Sequence, residues 1–322
     1  MRKKAVGSAL RRWLIPVLLV GMMPALAGAT SYVNLGVSRV DFYADAFDRK
    51  YEVDKTLYNH MEFSTNVRDI FSLSGVLQAD PDSKDIENAY IRLGLKSHFI
   101  GYMTGEINGE IVHDSGKKMG TFESSYTHFY IGKLKGGFDD LRADQVNIDN
   151  GHITGLAYTK YSMPYLFTVG TKGGNEVPAI QDNDLKLQSL GLLIEYDPVR
   201  AKTIALQNHG GDPINDWYFN THMVLGVTYA EMGDGARKAL DTSDAKWWGI
   251  GMPSAHYELG WLYAKKRGNL TYSFQVGCFL RVHLMNMVPP WELFDDLDEG
   301  ELEPPVIMHL LYGPLAKVTV AW

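Results

Sequence analysis

The sequence has little cysteine, no long apolar run after Met23 and little helical periodicity. Its single cysteine, Cys278, has no partner for an intramolecular disulfide, so the fold must be stabilised by other means. No later apolar stretch approaches the roughly 20 residues that a membrane-spanning helix requires. A stripe of apolar residues with the 3.6-residue period of a helix is also hard to find. The sequence therefore does not predict a helical fold or a bundle of membrane-spanning helices.

The N-terminal segment has the pattern of a secretory signal peptide. Five basic residues come first, and the apolar run Trp13 to Met23 follows. Ala25-Leu26-Ala27 and Ala27-Gly28-Ala29 both match the small-x-small pattern at which a signal peptidase cleaves. No cysteine lies near these motifs, so a lipoprotein anchor is not expected. We expect residues 1–29 to be a signal peptide and residues 30–322 to form the mature protein.

Charge and missing motifs limit the partners of the mature chain. Without the five cations of the signal peptide, 26 of the 31 basic residues remain against 38 acidic ones, a formal charge of −12. Nucleic acid binding needs clustered cations that neutralise phosphates, so nucleic acid is not expected as a partner. The sequence lacks the G-x-S-x-G, H-E-x-x-H and phosphate-loop motifs, so no catalytic centre, metal site or cofactor is predicted.

Apolar and polar residues alternate in many separate stretches of the mature chain. An alternation with a period of two indicates a β-strand with two different faces. In the clearest stretch, NLTYSFQVGCFL, the apolar face consists of Leu270, Tyr272, Phe274, Val276 and Cys278. The stretch before it alternates in the same way and ends in the polar segment KKRGN, which predicts a hairpin.

The connections between these predicted strands come in two sizes. YMTGE and KKRGN are short, whereas ADAFDRKYEVDK, the 24 residues from Glu231 to Ser254 and PPWELFDDLDEGELEPP are long, charged and rich in glycine or proline. The last of these includes the acidic run Glu292 to Glu303, which we interpret as a solvated surface loop. Short turns at one rim and long loops at the other are typical of outer-membrane barrels.

The chain ends in LAKVTVAW, a strict alternation that finishes on an aromatic residue. With the signal peptide, the alternating strands and the many aromatic residues, this ending resembles the Gram-negative outer-membrane β-barrel class. The resemblance implies that the barrel-assembly machinery reads the last strand, which then pairs with the first strand near Val33 to Val37. Gly313-Pro314 departs from this pattern, because proline removes a ladder donor, and we expect it to interrupt the last strand with a kink or bulge. The residues of the implied assembly signal are Ala316, Val318, Val320 and Trp322.

The predicted fold is an all-β, antiparallel transmembrane β-barrel in the cell outer membrane, in contact with its lipids and lipopolysaccharide. About 293 mature residues, at about 9–11 residues per membrane strand, give about 12 strands, and 10 or 14 also fit. A secreted β-sandwich is the alternative that alternation alone would also allow. A sandwich does not explain the terminal aromatic residue or the aromatic residues on the apolar faces.

Polar residues that alternate with the apolar set are candidates for the lumen of such a barrel. Charged side chains are tolerated inside a barrel but are costly at the lipid midplane. Paired carboxylates on one strand are also more typical of a barrel lining than of acid-base catalysis. The predicted lumen residues are Lys96, Glu106, Glu110, Glu258, Gln275 and Arg281.

Three functions are compatible with this fold. The first is a small, passive, porin-like channel, although a barrel of this size can also be filled by side chains and conduct little. The second is a structural or autotransporter-like translocator barrel without a passenger. The third is a lipid-acting hydrolase, for which His60 and Ser64 are the candidates, but their spacing departs from the H-x-S-N-G pattern. We expect a non-enzymatic barrel.

The barrel prediction is tested by cell fractionation and gel mobility. Folded outer-membrane barrels resist denaturation by detergent until they are boiled, so their mobility depends on heating. We expect the protein in the outer-membrane fraction with two heat-dependent gel positions. A protein that is soluble in the periplasm and has one gel position would contradict the prediction.

Overall fold

The computed structural model describes residues 29–46, 49–67, 71–79, 86–112, 118–135, 142–146, 152–170, 176–234, 246–288 and 306–322. The predicted signal peptide, apart from Ala29, and the acidic run Glu292 to Glu303 lie outside these residues. The strands are β1 (Ala29–Ala46), β2 (Arg49–Val67), β3 (Phe71–Ala79), β4 (Ile86–Leu95), β5 (His98–Val112), β6 (Lys118–Leu134), β7 (His152–Gly170), β8 (Glu176–Tyr196), β9 (Ile214–Met232), β10 (Lys246–Arg267), β11 (Leu270–Val288) and β12 (Val306–Ala321). One α-helix, α1 (Pro198–His209), lies between β8 and β9.

The twelve strands form a closed antiparallel barrel in which each strand pairs with its sequence neighbours and β1 pairs with β12. This confirms the predicted fold class and strand count. The predicted pairing of the first and last strands, which we call the seam, is also confirmed, because Val33 pairs with Val320 and Leu35 pairs with Val318. The start of β1 and the end of β12 lie at one end of the barrel, which we call the terminal end. Two-residue turns at Lys96–Ser97 and Gly268–Asn269 lie at this end, as periplasmic turns do in outer-membrane barrels.

The outer surface of the barrel is apolar. In β11, Tyr272, Phe274 and Val276 are exposed, while Thr271 and Ser273 between them are buried in the interior. The same alternation leaves leucine, isoleucine and valine exposed on strands around the barrel. A closed sheet with an apolar exterior can enter a bilayer because no backbone group is left unpaired at an edge. The protein therefore spans an outer membrane with its strands.

Aromatic pairs mark both ends of this apolar belt. Trp217 and Trp261 pair across β9 and β10 near the terminal end, with ring centroids 5.3 Å apart. Tyr229 and Trp248 pair across the same strands near the opposite end, with centroids 5.2 Å apart. Aromatic girdles of this kind sit at the two water interfaces of transmembrane barrels. Among the described residues, no helix is both long and apolar enough to cross a membrane.

Some predicted connections are wrong. YMTGE lies inside β5, and the turn before β5 is Lys96–Ser97. The predicted loop ADAFDRKYEVDK is also wrong, because β1 extends to Ala46 and β2 begins at Arg49. The long strands extend beyond the apolar belt, so charged residues at their ends do not indicate loops. The hairpin through KKRGN is confirmed, with β10 ending at Arg267 and β11 beginning at Leu270.

Gly313-Pro314 does not interrupt β12, which runs without a break and pairs continuously with β11. The pairing is irregular only on the other side of β12, in the seam with β1. There the hydrogen-bonded ladder skips Arg39 and Val40 of β1, which lie opposite Gly313 and Pro314. A Cβ atom at position 313 would lie 1.7 Å from the carbonyl oxygen of Arg39. Glycine is therefore needed at this position for the two strands to approach.

We predict that Gly313→Ala weakens the closure of the barrel. The added methyl group would push β1 away from β12, at a cost of about 3 kcal/mol in the free energy of unfolding. The matched control is Gly268→Ala in the β10–β11 turn, where a Cβ has open space and only the positive φ of 60° is unfavourable. That control should cost about 1–2 kcal/mol. Urea titration of the heat-modifiable form in vesicles measures both, and equal losses would contradict the close approach.

Candidate functional site

The lumen of the barrel contains a cavity of ≈ 200 Å³. Its wall comes from strands on all sides of the barrel and from α1, and most of the residues that line it have polar side chains. Tyr32, Tyr90 and Phe279 add aromatic surface. A concave site with aromatic walls and converging polar groups is the usual form of a small-molecule site. We take this cavity as the candidate functional site.

Helix α1 forms the floor of the cavity at the terminal end. The carboxylate of Asp197 accepts a hydrogen bond from the backbone N–H of Arg200 at 3.0 Å and so caps the start of the helix. Pro198 occupies the first turn, where a proline is well tolerated. The helix ends at Gly210, whose N–H donates to the carbonyl of Leu206 at 2.9 Å. These local signals define a helix of 12 residues.

The helix is buried on most of its faces. Ala201 and Ile204 pack with Tyr130, Ile153 and other residues of the barrel wall. On another face, Leu206 packs in a separate cluster that also contains Val199, Tyr218, Leu262 and Ala264. Because apolar contacts surround it, α1 blocks the terminal end of the lumen.

Polar contacts also fasten α1 to the barrel. Lys266 donates a hydrogen bond to the carbonyl of Gln207, and Thr271 donates to the side-chain oxygen of Gln207 at 2.7 Å. The amide of Gln207 donates to the carbonyl of Asn269 at 3.0 Å. Lys202 forms an ion pair with Asp216 at 3.1 Å. Most of these contacts involve Gln207, close to the end of the helix.

A first charged network crosses the lumen above α1. Arg92 on β4 forms an ion pair with Glu195 on β8, and the other oxygen of Glu195 lies 3.1 Å from Nδ1 of His222. Nε2 of His222 lies 3.3 Å from Nε2 of His128, whose Nδ1 is 2.9 Å from the hydroxyl of Thr159. The network links five strands, so it fixes the positions of walls that do not pair directly.

A second network surrounds Glu258 on β10. Nζ of Lys317 lies 2.6 Å from Oε1 of this carboxylate, and Nε2 of His256 lies 3.0 Å from the same oxygen. The amide of Asn220 donates to Oε2 at 3.2 Å. Both charges of the Lys317–Glu258 pair are buried, so the loss of either partner would leave an uncompensated charge.

The remaining charged groups of the wall also have partners. Tyr32 donates a hydrogen bond to Glu62, which lies 3.9 Å from His60. Nη2 of Arg200 donates to the hydroxyl of Ser64 at 3.2 Å, and Nη1 of Arg281 donates to the hydroxyl of Tyr126 at 3.2 Å.

Asp197 lies outside the strands, at the start of α1. Burial raises the pKa of its carboxyl well above the ordinary value, and the nearby carboxylates of Glu62, Glu195 and Glu258 raise it further. Four acidic groups therefore converge where the helix enters the lumen. Their mutual repulsion is reduced by the cations and hydrogen-bond donors that hold each carboxylate.

The predicted lumen residues divide into two groups. Glu258, Gln275 and Arg281 line the cavity. Lys96 does not, because β4 ends at Leu95 and Lys96 lies exposed in the following turn with a φ of 54°. Glu106 is also exposed, because it shares the outward face of β5 with Ile100 and Tyr102. The expectation that these two residues line the lumen is therefore corrected.

Other predicted residues have different outcomes. Glu110 belongs to β5, but its side chain lies outside the described part of the structure. Val318 is exposed, and Ala316, Val320 and Trp322 are partly exposed, while the residues between them are buried. The outward orientation of this face is therefore observed, but its role as an assembly signal stays a prediction.

The sequence interpretation missed several central residues of the site. Arg92, Glu195 and Lys317 all alternate with outward apolar neighbours, so the period of two was a signal that could have found them. Helix α1 was missed because it is buried on several faces and has no clear apolar stripe. Among the described residues, no group of three or more His, Cys, Asp or Glu is arranged to hold a metal ion.

Comparisons with known proteins do not identify a family. No family model matches the sequence, and no curated protein sequence does.

Several solved structures of outer-membrane proteins are similar to this chain only at a low level. Outer membrane protease OmpT from Escherichia coli is 9% identical, with 92% of this chain and 98% of OmpT covered and a TM-score of 0.31. The Pseudomonas putida toluene transporter TodX is 10% identical, with 92% and 90% covered and a TM-score of 0.25. The translocator domain of the autotransporter NalP from Neisseria meningitidis is 7% identical, with 99% and 97% covered and a TM-score of 0.18. At such low TM-scores these likenesses carry no argument about function. The chain's own closed sheet and apolar belt make it an integral outer-membrane β-barrel.

The buried ion pair of the site leads to a prediction. Lys317→Met would leave Glu258 without its cation, which should lower the free energy of unfolding by about 3–5 kcal/mol. Adding Glu258→Leu should recover part of this loss, because no uncompensated charge then remains. Lys133→Met on the exposed face of β6 is the control and should change stability by less than about 0.5 kcal/mol. Urea unfolding of the four proteins measures the effects. A double variant less stable than Lys317→Met would contradict the pairing.

Proposed function

We propose that the protein is a passive outer-membrane channel for small polar solutes, closed at its terminal end by α1. The observation that carries this proposal is the polar cavity inside the barrel, directly above a helix that is not part of the sheet. A barrel that served only as a scaffold would have no need for a polar cavity, since the interior of a small barrel can be filled by side chains. The proposed path follows the polar wall and requires α1 to move.

The connection after α1 is suited to such a movement. Gly210 and Gly211 follow the helix directly and have φ values of 70° and 137°. Glycine adopts these conformations without strain and can absorb the backbone rotation of a hinge. Moving α1 exposes apolar side chains such as Ile204 and Leu206, at about 1.5–3 kcal/mol for each side chain. We therefore propose that the channel is closed at rest and opens rarely or in response to a solute.

The other two functions receive less support. Ser64, one candidate for hydrolysis, is fully buried and accepts a hydrogen bond from Arg200, and His60 lies in the wall of the same lumen. Neither side chain faces the surrounding lipid. A translocator needs a wide path for a chain, whereas α1 occupies the terminal end of this lumen. We therefore do not propose a hydrolase or a translocator.

The gating role of α1 is tested by conductance. Lys266→Met removes the hydrogen bond to the carbonyl of Gln207, so α1 should leave its position more often. In planar bilayers we expect more frequent openings than for the wild type, by about fivefold for the loss of about 1 kcal/mol. Lys265→Met is the matched control, because this neighbouring side chain is exposed on the opposite face of β10.

Replacing residues 198–209 by a flexible Gly-Ser linker is the stronger variant of this experiment. We expect a permanent conductance in the folded, heat-modifiable protein. A folded linker variant without conductance would overturn the proposed channel.

A further inference from the structure

The lumen wall contains buried polar atoms that have no hydrogen-bond partner among the residues that the structure describes. They include the side-chain oxygens of Asn34 and Ser38 on β1, the hydroxyl of Thr203 on α1, the side-chain oxygen of Asn220 on β9 and Nε2 of His283 on β11. All five residues line the cavity, and Asn34, Ser38, Thr203 and His283 are at most 5% exposed. Buried polar groups in native proteins are almost always paired, so these atoms point to something that occupies the cavity.

The chemistry of these atoms is neutral. They are amide oxygens, hydroxyls and an imidazole nitrogen, and together they can both donate and accept hydrogen bonds. Hydroxyl groups can do both as well, so a ligand with several hydroxyls can satisfy a mixed set of this kind. The partnerless atoms lie on different walls and on α1, and a ligand that meets them must make several hydrogen bonds at once.

The charged groups of the wall are already engaged within the protein. Glu195 is paired with Arg92, and Glu258 is paired with Lys317. Arg200 and Arg281 donate to hydroxyl groups of the wall. A cationic ligand would have to displace Arg92 or Lys317 from its carboxylate, which is costly. An anionic ligand would have to compete with the hydroxyl partners of Arg200 and Arg281 and lose its hydration on entering the lumen. Aromatic rings of Tyr32, Tyr90 and Phe279 offer apolar surface for the carbon skeleton of a ligand.

We infer that the cavity binds a small, uncharged, polyhydroxylated solute such as a monosaccharide or a cyclic polyol. This inference rests on the proposed channel, because it names the solute class that the channel would take. Thr203 connects the two, since a ligand bonded to its hydroxyl touches the helix that closes the lumen. Binding would therefore favour one position of α1 over another to the extent that its affinity differs between them.

The binding experiment uses the full mature protein in detergent and isothermal titration calorimetry. The probes are glucose and myo-inositol, compared with gluconate and glucosamine as charged relatives and benzene as an apolar probe. We expect at least one neutral polyol to bind, and the charged and apolar probes to bind at least about tenfold more weakly. Tighter binding of a charged probe or of benzene would overturn the inference. The absence of polyol binding to the folded protein would also overturn it, since water would then be the hydrogen-bond partner of the polar wall atoms.

Two variants test the location of the site. Thr203→Val keeps the shape of the side chain but removes the hydroxyl, and Ser38→Ala removes the hydroxyl of a second wall residue, on β1. Each should weaken polyol binding by about fivefold, as expected for one neutral hydrogen bond. Thr154→Val on the exposed face of β7 is the matched control and should bind as the wild type does. Heat-dependent gel mobility shows that each variant is folded. Unchanged binding in both lumen variants would place the ligand elsewhere and contradict the proposed site.

The binding and conductance experiments together distinguish a failure of the proposed channel from a failure of the proposed solute class. Polyol binding in detergent without conductance in the α1-linker variant would overturn the channel and leave the binding site. Conductance in that variant without polyol binding would leave the channel and overturn the solute class.

Discussion

The structure depends on the pairing of β1 with β12. In the hydrocarbon of a bilayer an unpaired backbone N–H or C=O costs several kcal/mol, so a sheet can reside there only when it is closed. The register that joins Leu35 to Val318 supplies this closure. Gly313 allows close contact at the one place where the ladder between the two strands skips residues. Once the sheet is closed, the alternation along each strand decides that apolar side chains meet lipid and polar ones meet the lumen.

Polar side chains that are forced inward have to find partners there, and this requirement determines the character of the lumen. Arg92 and Lys317 are directed inward by the apolar residues on either side of them, and each meets a carboxylate from a strand that is not its neighbour. Such cross-lumen pairs stiffen the barrel. Because these pairs engage the charged side chains, the neutral hydrogen-bonding groups of the wall are the ones we propose for contact with a ligand. Helix α1 then closes the terminal end with apolar contacts that the polar lumen alone could not provide.

The sequence was sufficient for features that depend on neighbouring residues. Alternation around Tyr272 and Phe274 predicted a strand and its outward face, and the final residues predicted the seam with Val33. The sequence was insufficient for features that depend on strand boundaries and on how the strands are arranged around the barrel. The prediction for Glu106 failed because YMTGE was interpreted as a turn, which lost the inside-outside alternation of β5. The contact of Arg92 with Glu195 depends on where strands lie around the barrel, and alternation does not contain that information.

The most direct test of the account is a disulfide cross-link across the seam. In a Cys278→Ser background, cysteines at Leu35 and Val318 occupy paired positions, whereas Leu35 and Val320 are offset by two residues on the same face. Paired positions in adjacent strands lie within the reach of a disulfide, and the offset positions, about 7–8 Å apart, lie beyond it. We predict an intramolecular bridge at 35/318 in the folded protein and none at 35/320. A bridge at 35/320 alone, or only bridges between molecules, would contradict the closed register on which the lumen and its site depend.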